Sequence, residues 1–183
     1  MDLLAGDIGG TNTRLAIYRA EGDRVFTPLA EKTFSSKDYN SLEDILELFT
    51  ADLKLRIQRA CFGVAGPVIR QASDTTNLPW KLSAKALNHR FGFEQTWLLN
   101  DLEANAWGIG ALTEHDLHTL HPGVPQAVGN ASIISAGTGL GEAGLFWDGQ
   151  THRPFSSEGG HSDFSPTNKL EYALYESLAA QYG

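Results

Sequence analysis

The first residue able to do chemistry is Asp7, which ends the apolar run Leu3 to Ile8 and precedes Gly9-Gly10-Thr11-Asn12-Thr13-Arg14. Two glycines let backbone N–H groups approach an anion closely, and the Thr and Asn side chains add donors. A carboxylate beside such a turn can hold Mg²⁺ directly or through water. No Gly-Lys-Ser/Thr follows, so the string is not a Walker loop. It also lacks G-x-G-x-x-G and a following helix, so it is not a dinucleotide fingerprint. Taken alone, the glycine pair reads as a tight hairpin with Asp7 as a turn former. The nine-residue string Gly6 to Arg14 is more specific than that.

Three further strings follow. Ser135-Ala136-Gly137-Thr138-Gly139-Leu140-Gly141 sets three alternate glycines between two apolar runs, a second candidate cradle for an anion. Together the two glycine strings predict phosphate loops facing one another across a cleft. Asn100-Asp101 falls where a strand ends and a helix begins. The pair serves as a helix cap, and the helix N-terminus favours the ionised form of Asp101. Such a weak base suffices for phosphoryl transfer, where a hydroxyl mainly needs aiming and a proton acceptor. In Ser157 to Pro166, Glu158 and His161 flank Gly159-Gly160. An anionic acceptor and an acceptor/donor ring in an open loop are the parts needed to read adjacent sugar hydroxyls. Metal binding by Glu158, His161 and Asp163 is the weaker reading of that loop. His115, His118 and His121 drift around a helix instead of sharing one face, and read as a solvated linker. Cys61 reads as a small core residue. Trp80, Trp97, Trp107 and Trp147 read as packing.

The elements that must position these groups follow from periodicity. Residues 3–8 read as a buried strand, 9–12 as a turn and 13–18 as a second strand, with a third inside 24–34. The chain therefore opens with hairpins, not with a βαβ unit. Leu42, Ile45, Leu46, Phe49 and Leu53 recur at helical spacing and predict a helix over 41–53, started by Asn40 or Ser41. Strands are expected at 59–65, 67–72 and 96–100. A helix capped by Ser83 is expected at 84–91, stopped by Gly92, and another at 102–112 with Leu102, Ala106 and Ile109 on one face. Residues 113–130 read as a connection between domains. Strands at 132–136 and up to Trp147 enclose the second glycine string, and Asp148-Gly149 signals a hairpin turn. Asn168-x-x-Glu171 opens a last helix at 169–182, whose stripe is Leu170, Leu174 and Leu178. That stripe looks for a partner, which hints that more chain normally follows.

Composition narrows the function classes. The 183 residues are 42% hydrophobic and 20% charged, a globular balance with no run of the length a membrane helix needs. No leader is visible at the N-terminus, and one cysteine in the chain suits a reducing, cytoplasmic setting. The net charge is −8. Residues 112–183 carry 2 basic and 8 acidic side chains, against 12 and 14 in residues 1–111. No basic footprint for nucleic acid or a membrane surface exists. An anionic ligand must therefore be held by local backbone dipoles and a metal.

In this order and combination, GDIGGTNTR, the strand-end Asn100-Asp101, SAGTGLG and EGGHSDFSP closely resemble the bacterial glucokinase family, as do Gly66-Pro67 and Thr76-Asn77-Leu78-Pro79-Trp80. The resemblance covers most of the chain. It implies the actin-like ATPase (ribonuclease H-like) fold: α/β, mixed sheets with flanking helices, in two lobes. Residues 1–111 would form the smaller lobe, and 112–183 would begin a larger lobe that is incomplete here. It implies ATP-dependent phosphorylation of the glucose 6-hydroxyl, with ATP and Mg²⁺ as cofactors, glucose or a related hexose as partner, and room for a homodimer. Gly6, Asp7, Ile8, Gly9, Gly10 and Thr11 match the first phosphate loop, with Asp7 near the metal. Gly137, Thr138 and Gly139 match the second. Asn100, Asp101, Glu158 and His161 match the glucose-contacting residues, and Asp101 matches the catalytic base. One cysteine, and HSDFSP after the glycines, depart from the zinc motif of the neighbouring ROK group. Family chains run well beyond Gly183, where another sugar-contacting glutamate and the adenosine segment are expected. The readings left open are a sugar-binding or regulatory fragment without catalysis, and a kinase for another hexose.

Overall fold

The structure is a computed structural model that describes residues 1–21, 25–75, 77–137 and 139–182. It opens with the antiparallel strands β1 (Asp2–Ile8), β2 (Asn12–Glu21) and β3 (Val25–Ser35). Arg24, where the third strand was expected to begin, lies outside the described residues. Alternation sends Leu4, Ile8, Leu15 and Ile17 to one face, where all four are buried. Helix α1 (Leu42–Thr50) covers that face with Leu42, Ile45, Leu46 and Phe49. Ser41 starts it: its hydroxyl accepts from the Asp44 N–H at 3.2 Å, a cap that contributes about 1 kcal/mol.

Strand β4 (Ile57–Val64) returns parallel to β1. A two-stranded hairpin, β5 (Ala72–Asp74) and β6 (Lys81–Ser83), leads into α2 (Ala84–Phe91). Ser83 caps α2, and Gly92, at φ 71°, ends it with its N–H on the Asn88 carbonyl. Strand β7 (Gln95–Asn100) then pairs parallel to β4, completing a five-stranded sheet in the order β3-β2-β1-β4-β7. The expected strand over 67–72 does not form. Ile69 makes one isolated bridge to Ala72, and the backbone reverses through Arg70 (φ 51°) and Gln71 (φ 59°). Gln71 instead docks on the outer edge of β7. Its carboxamide accepts from the Leu98 N–H at 2.8 Å and donates to the Leu98 carbonyl at 3.2 Å.

Helix α3 (Asp101–Gly108) starts where β7 ends, and the expected continuation to 112 tightens into a 3₁₀ turn at Ile109–Ala111. Residues 113–130 hold a single 3₁₀ turn, Glu114–Asp116. Strands β8 (Ala131–Ala136), β9 (Leu140–Trp147) and β10 (His152–Ser157) form a separate antiparallel sheet. At its last turn Asp148 accepts from the Gln150 and Thr151 N–H groups, and Gly149 sits at φ 96°. Helix α4 (Lys169–Tyr182) closes the described chain. The Asn168 side chain accepts from the Leu170 and Glu171 N–H groups, while Glu171 reaches back to Thr167.

Two cores result. The larger joins both α1 and α2 to the five-stranded sheet around Leu4, Phe62 and Leu98. The smaller comprises Ala106, Ala143 and Leu145, with Leu102 and Ile133 packed against it. Helix α3 bridges them because glycines admit it on both sides. A Cβ at Gly63 would stand 3.1 Å from the Ala104 Cβ, and one at Gly141 would stand 2.9 Å from the Leu102 Cδ2. No helix among the described residues is long and apolar enough to cross a membrane.

Candidate active site

Parallel pairing brings three chain exits to one sheet edge. In register, Ile8 lies beside Val64 and Val64 beside Asn100. The segments that follow, Gly9-Gly10, Ala65-Gly66 and Asp101, therefore emerge together at the carboxyl ends of the strands, where open α/β sheets bind ligands. The second sheet repeats the device. β8 and β10 both run antiparallel to β9, so Gly137 and Glu158 leave from one edge. The two edges meet at a cavity of about 500 Å³, enough for a hexose.

Asn100 and Asp101 form the floor. Asn100 is the cap of α3: its Oδ1 accepts from the Leu102 N–H at 3.0 Å and the Glu103 N–H at 3.3 Å. Its Nδ2 donates to the Gly66 carbonyl at 3.2 Å, a carbonyl aimed there by the φ of 138° at Gly66. Capping and positioning are thus one arrangement. Asp101, half-buried, accepts from the Leu102 N–H at 2.9 Å and lines the cavity.

Glu158 and His161 line the opposite wall, both exposed to the cavity. Their loop is a closed turn: the His161 N–H donates to the Glu158 carbonyl at 3.0 Å, and the Gly159 N–H donates to the Ser157 hydroxyl. Gly160 lets the turn lie on β9, since a Cβ there would collide with the Leu140 carbonyl. The His161 Nε2 and Glu158 Oε2 are 3.6 Å apart. Among the described residues no cluster of three or more His, Cys, Asp and Glu side chains is disposed to hold a metal, which leaves Asp163 out of the site.

The glycine strings divide by role. Gly137 and Gly139 line the cavity, a Cβ at either would meet open space, and the Gly137 N–H donates to the Gly139 carbonyl at 2.9 Å. Thr138 lies outside the described residues. In the first string, Ile8 is a core residue, and Gly6 sits where a Cβ would stand 2.5 Å from the Phe62 ring. Gly9, Gly10 and Thr11 form the turn itself. Ser135, Ser157 and Asn77 also line the cavity; they fall within the motif strings of the sequence, which assign them no site role. Their polar types alone assign them no role, and tertiary contact brings them to the cavity.

The cleft is acidic. Asp7, at the end of β1, is exposed, yet the surrounding protein partly desolvates the carboxyl and pushes its pKa up. Arg14 opposes that shift, and the Asp101 charge adds to it. Carboxylate oxygens in this setting fit Mg²⁺, which is commonly bound through one or two carboxylates, with water and substrate phosphates completing the shell. Burial likewise raises Glu103, on the first turn of α3.

A five-stranded mixed sheet with loops gathered at its carboxyl edge, facing a second β-meander across a cleft, is the architecture of the actin-like ATPase fold. Residues 4–183 match the glucokinase family, and the chain belongs to it. It is 38% identical over 177 residues to a glucokinase of Nostoc punctiforme, covering 96% of this chain and 52% of that one. The crystal structure of a glucokinase from an Antarctic psychrotroph matches 99% of this chain and 57% of that one, at TM-score 0.84 and 30% identity. A ROK-family glucokinase of Streptomyces griseus, in complex with glucose and AMPPNP, shares the fold at TM-score 0.59 and 21% identity, over 93% of this chain and 53% of that one. The chain spans about half the length of the curated relatives it matches.

Proposed function

We propose that this chain carries the hexose site and both phosphate turns of an ATP-dependent glucokinase. The observation that supports it most is the single cavity lined by Asn100 and Asp101 from one sheet and by Gly137, Gly139, Glu158 and His161 from the other. Asn100, Glu158 and His161 orient the sugar through its hydroxyls. Asp101 aims the 6-hydroxyl and accepts its proton as the oxygen bonds to the γ-phosphorus and the bond to the ADP oxygen breaks. Backbone N–H groups of Gly10, Thr11 and Gly139 stabilise charge on the transferring group. Mg²⁺, when bound near Asp7, neutralises phosphate charge. The glucose and AMPPNP held by the Streptomyces griseus relative support the same pairing of substrates here. Closure of residues 1–111 on 112–183 would exclude water as a competing acceptor. The product, a hexose 6-phosphate made in the cytoplasm, suits entry into glycolysis.

A coupled assay for glucose 6-phosphate tests this on the chain joined to the C-terminal remainder of the Nostoc punctiforme relative. Glucose-dependent product is expected, with 6-deoxyglucose inert and Asp101→Asn lowering kcat about a hundredfold or more. A folded joined protein that leaves glucose unphosphorylated, or an Asp101→Asn variant with near-normal kcat, contradicts the reading.

A further inference from the structure

Thr75 and Trp80 are fixed more firmly than surface residues require. Trp80 is 2% exposed and its indole N–H donates to the Tyr39 carbonyl at 3.2 Å. The Thr75 hydroxyl lies 2.8 Å from the Leu78 carbonyl and 3.2 Å from that of Trp80, and the Thr75 N–H donates to Trp80 as well. Between these anchors Asn77 faces two ways at once. Its side chain lies flat on the first glycine turn: a Cβ at Gly10 would stand 2.7 Å from the Asn77 Cβ and 3.5 Å from Nδ2. Asn77 also lines the cavity that holds Asp101, Glu158 and His161.

We propose that Asn77 is a further catalytic residue, whose carboxamide spans the glycine turn and the Asp101 cavity and donates to the transferring phosphoryl group. This rests on the hexose-kinase reading above. A cleft carrying Asp7, Asp101 and Glu158 repels a phosphate, and a carboxamide supplies two N–H donors without another charge. Contact with Gly10 places the group on the phosphate side, while Glu158 and His161 come from the opposite sheet. Anchoring through buried Trp80 holds it in place before the ligand arrives, so little ordering is needed at the moment of transfer.

Calorimetric titration of the 183-residue chain with glucose and with glucose 6-phosphate reads this directly, because the product carries its phosphate where the transferred group ends. Wild type is expected to bind both. Asn77→Ala should lose about tenfold in affinity for glucose 6-phosphate, the loss of a hydrogen bond to a charged group, and markedly less in affinity for glucose. Asn77→Asp, of the same shape, should lose more, since its charge opposes the phosphate. Melting temperatures equal to wild type confirm that both variants fold. An unchanged ratio of the two affinities, or equal loss for both ligands, overturns the role of Asn77 and leaves the hexose site standing. A wild-type chain that binds neither ligand overturns the hexose-kinase reading and this inference with it.

Discussion

Asp7 and Asp101 lie at the ends of different strands, and burial, with the Asp101 charge added to it, makes Asp7 harder to ionise. Replacing Asp7 by Asn should raise the melting temperature in EDTA, by a few degrees at most because solvent at its tip screens the charge. Mg²⁺ should raise the melting temperature of wild type and leave Asp7→Asn unmoved; equal shifts in both proteins remove Asp7 from the cation site. Asp148 behaves in the opposite sense. Two backbone N–H groups and Arg153 hold its pKa down to about 2 from 3.8. Its stabilising effect is complete above the unfolded value and disappears as pH falls through that window. Melting curves between about pH 4 and pH 2 should therefore fall less steeply for Asp148→Asn than for wild type. Asp101, Glu158 and His161 were legible in sequence because each sits at a strand or helix boundary beside glycines or a capping residue. Asn77 was visible only as part of the Thr76 to Trp80 string, with no role, because its contact with Gly10 is far away in sequence.

At the scale of elements, glycines decide how closely the site's walls approach. Gly63 and Gly141 seat α3 between the sheets, and Gly160 seats the Glu158–His161 turn on β9. Gly160→Ala must push that turn off the Leu140 carbonyl, an overpacking cost of about 1–3 kcal/mol borne locally. Glucose affinity should fall while the main melting transition, which belongs to the larger core, stays put; titration and thermal denaturation on one sample check both. Helices α1 and α2 could be read from sequence because apolar spacing, serine caps and Gly92 agree with one another. The short β5–β6 hairpin could not, since three-residue strands carry too little alternation. The 67–72 segment misled because its apolar residues suit a strand, while Gln71 satisfies the edge of β7 with a side chain instead of a backbone.

The whole molecule is uneven. Beyond Leu112, Ala143 and Leu145 are the only buried side chains among the described residues, and α4 leaves Leu170, Leu174 and Leu178 at 80, 49 and 42% exposure. Local opening should follow that contrast. Amide exchange is expected to be slowest in β1, β4 and β7 and much faster in β8 to β10 and α4; uniform protection would mean that the second sheet is stabilised as fully as the first. The proposed sugar site straddles this difference, taking Asn100 and Asp101 from the well-packed half and Glu158 and His161 from the sparsely packed one. Joint grip by both halves is the central claim, and calorimetric titration of the chain with glucose tests it most directly. One saturable site is expected, with Asp101→Ala and Glu158→Gln each weakening it at least about tenfold, as loss of a charge-assisted hydrogen bond requires. Glucose affinity left unchanged by either substitution, in a protein that melts like wild type, would contradict it.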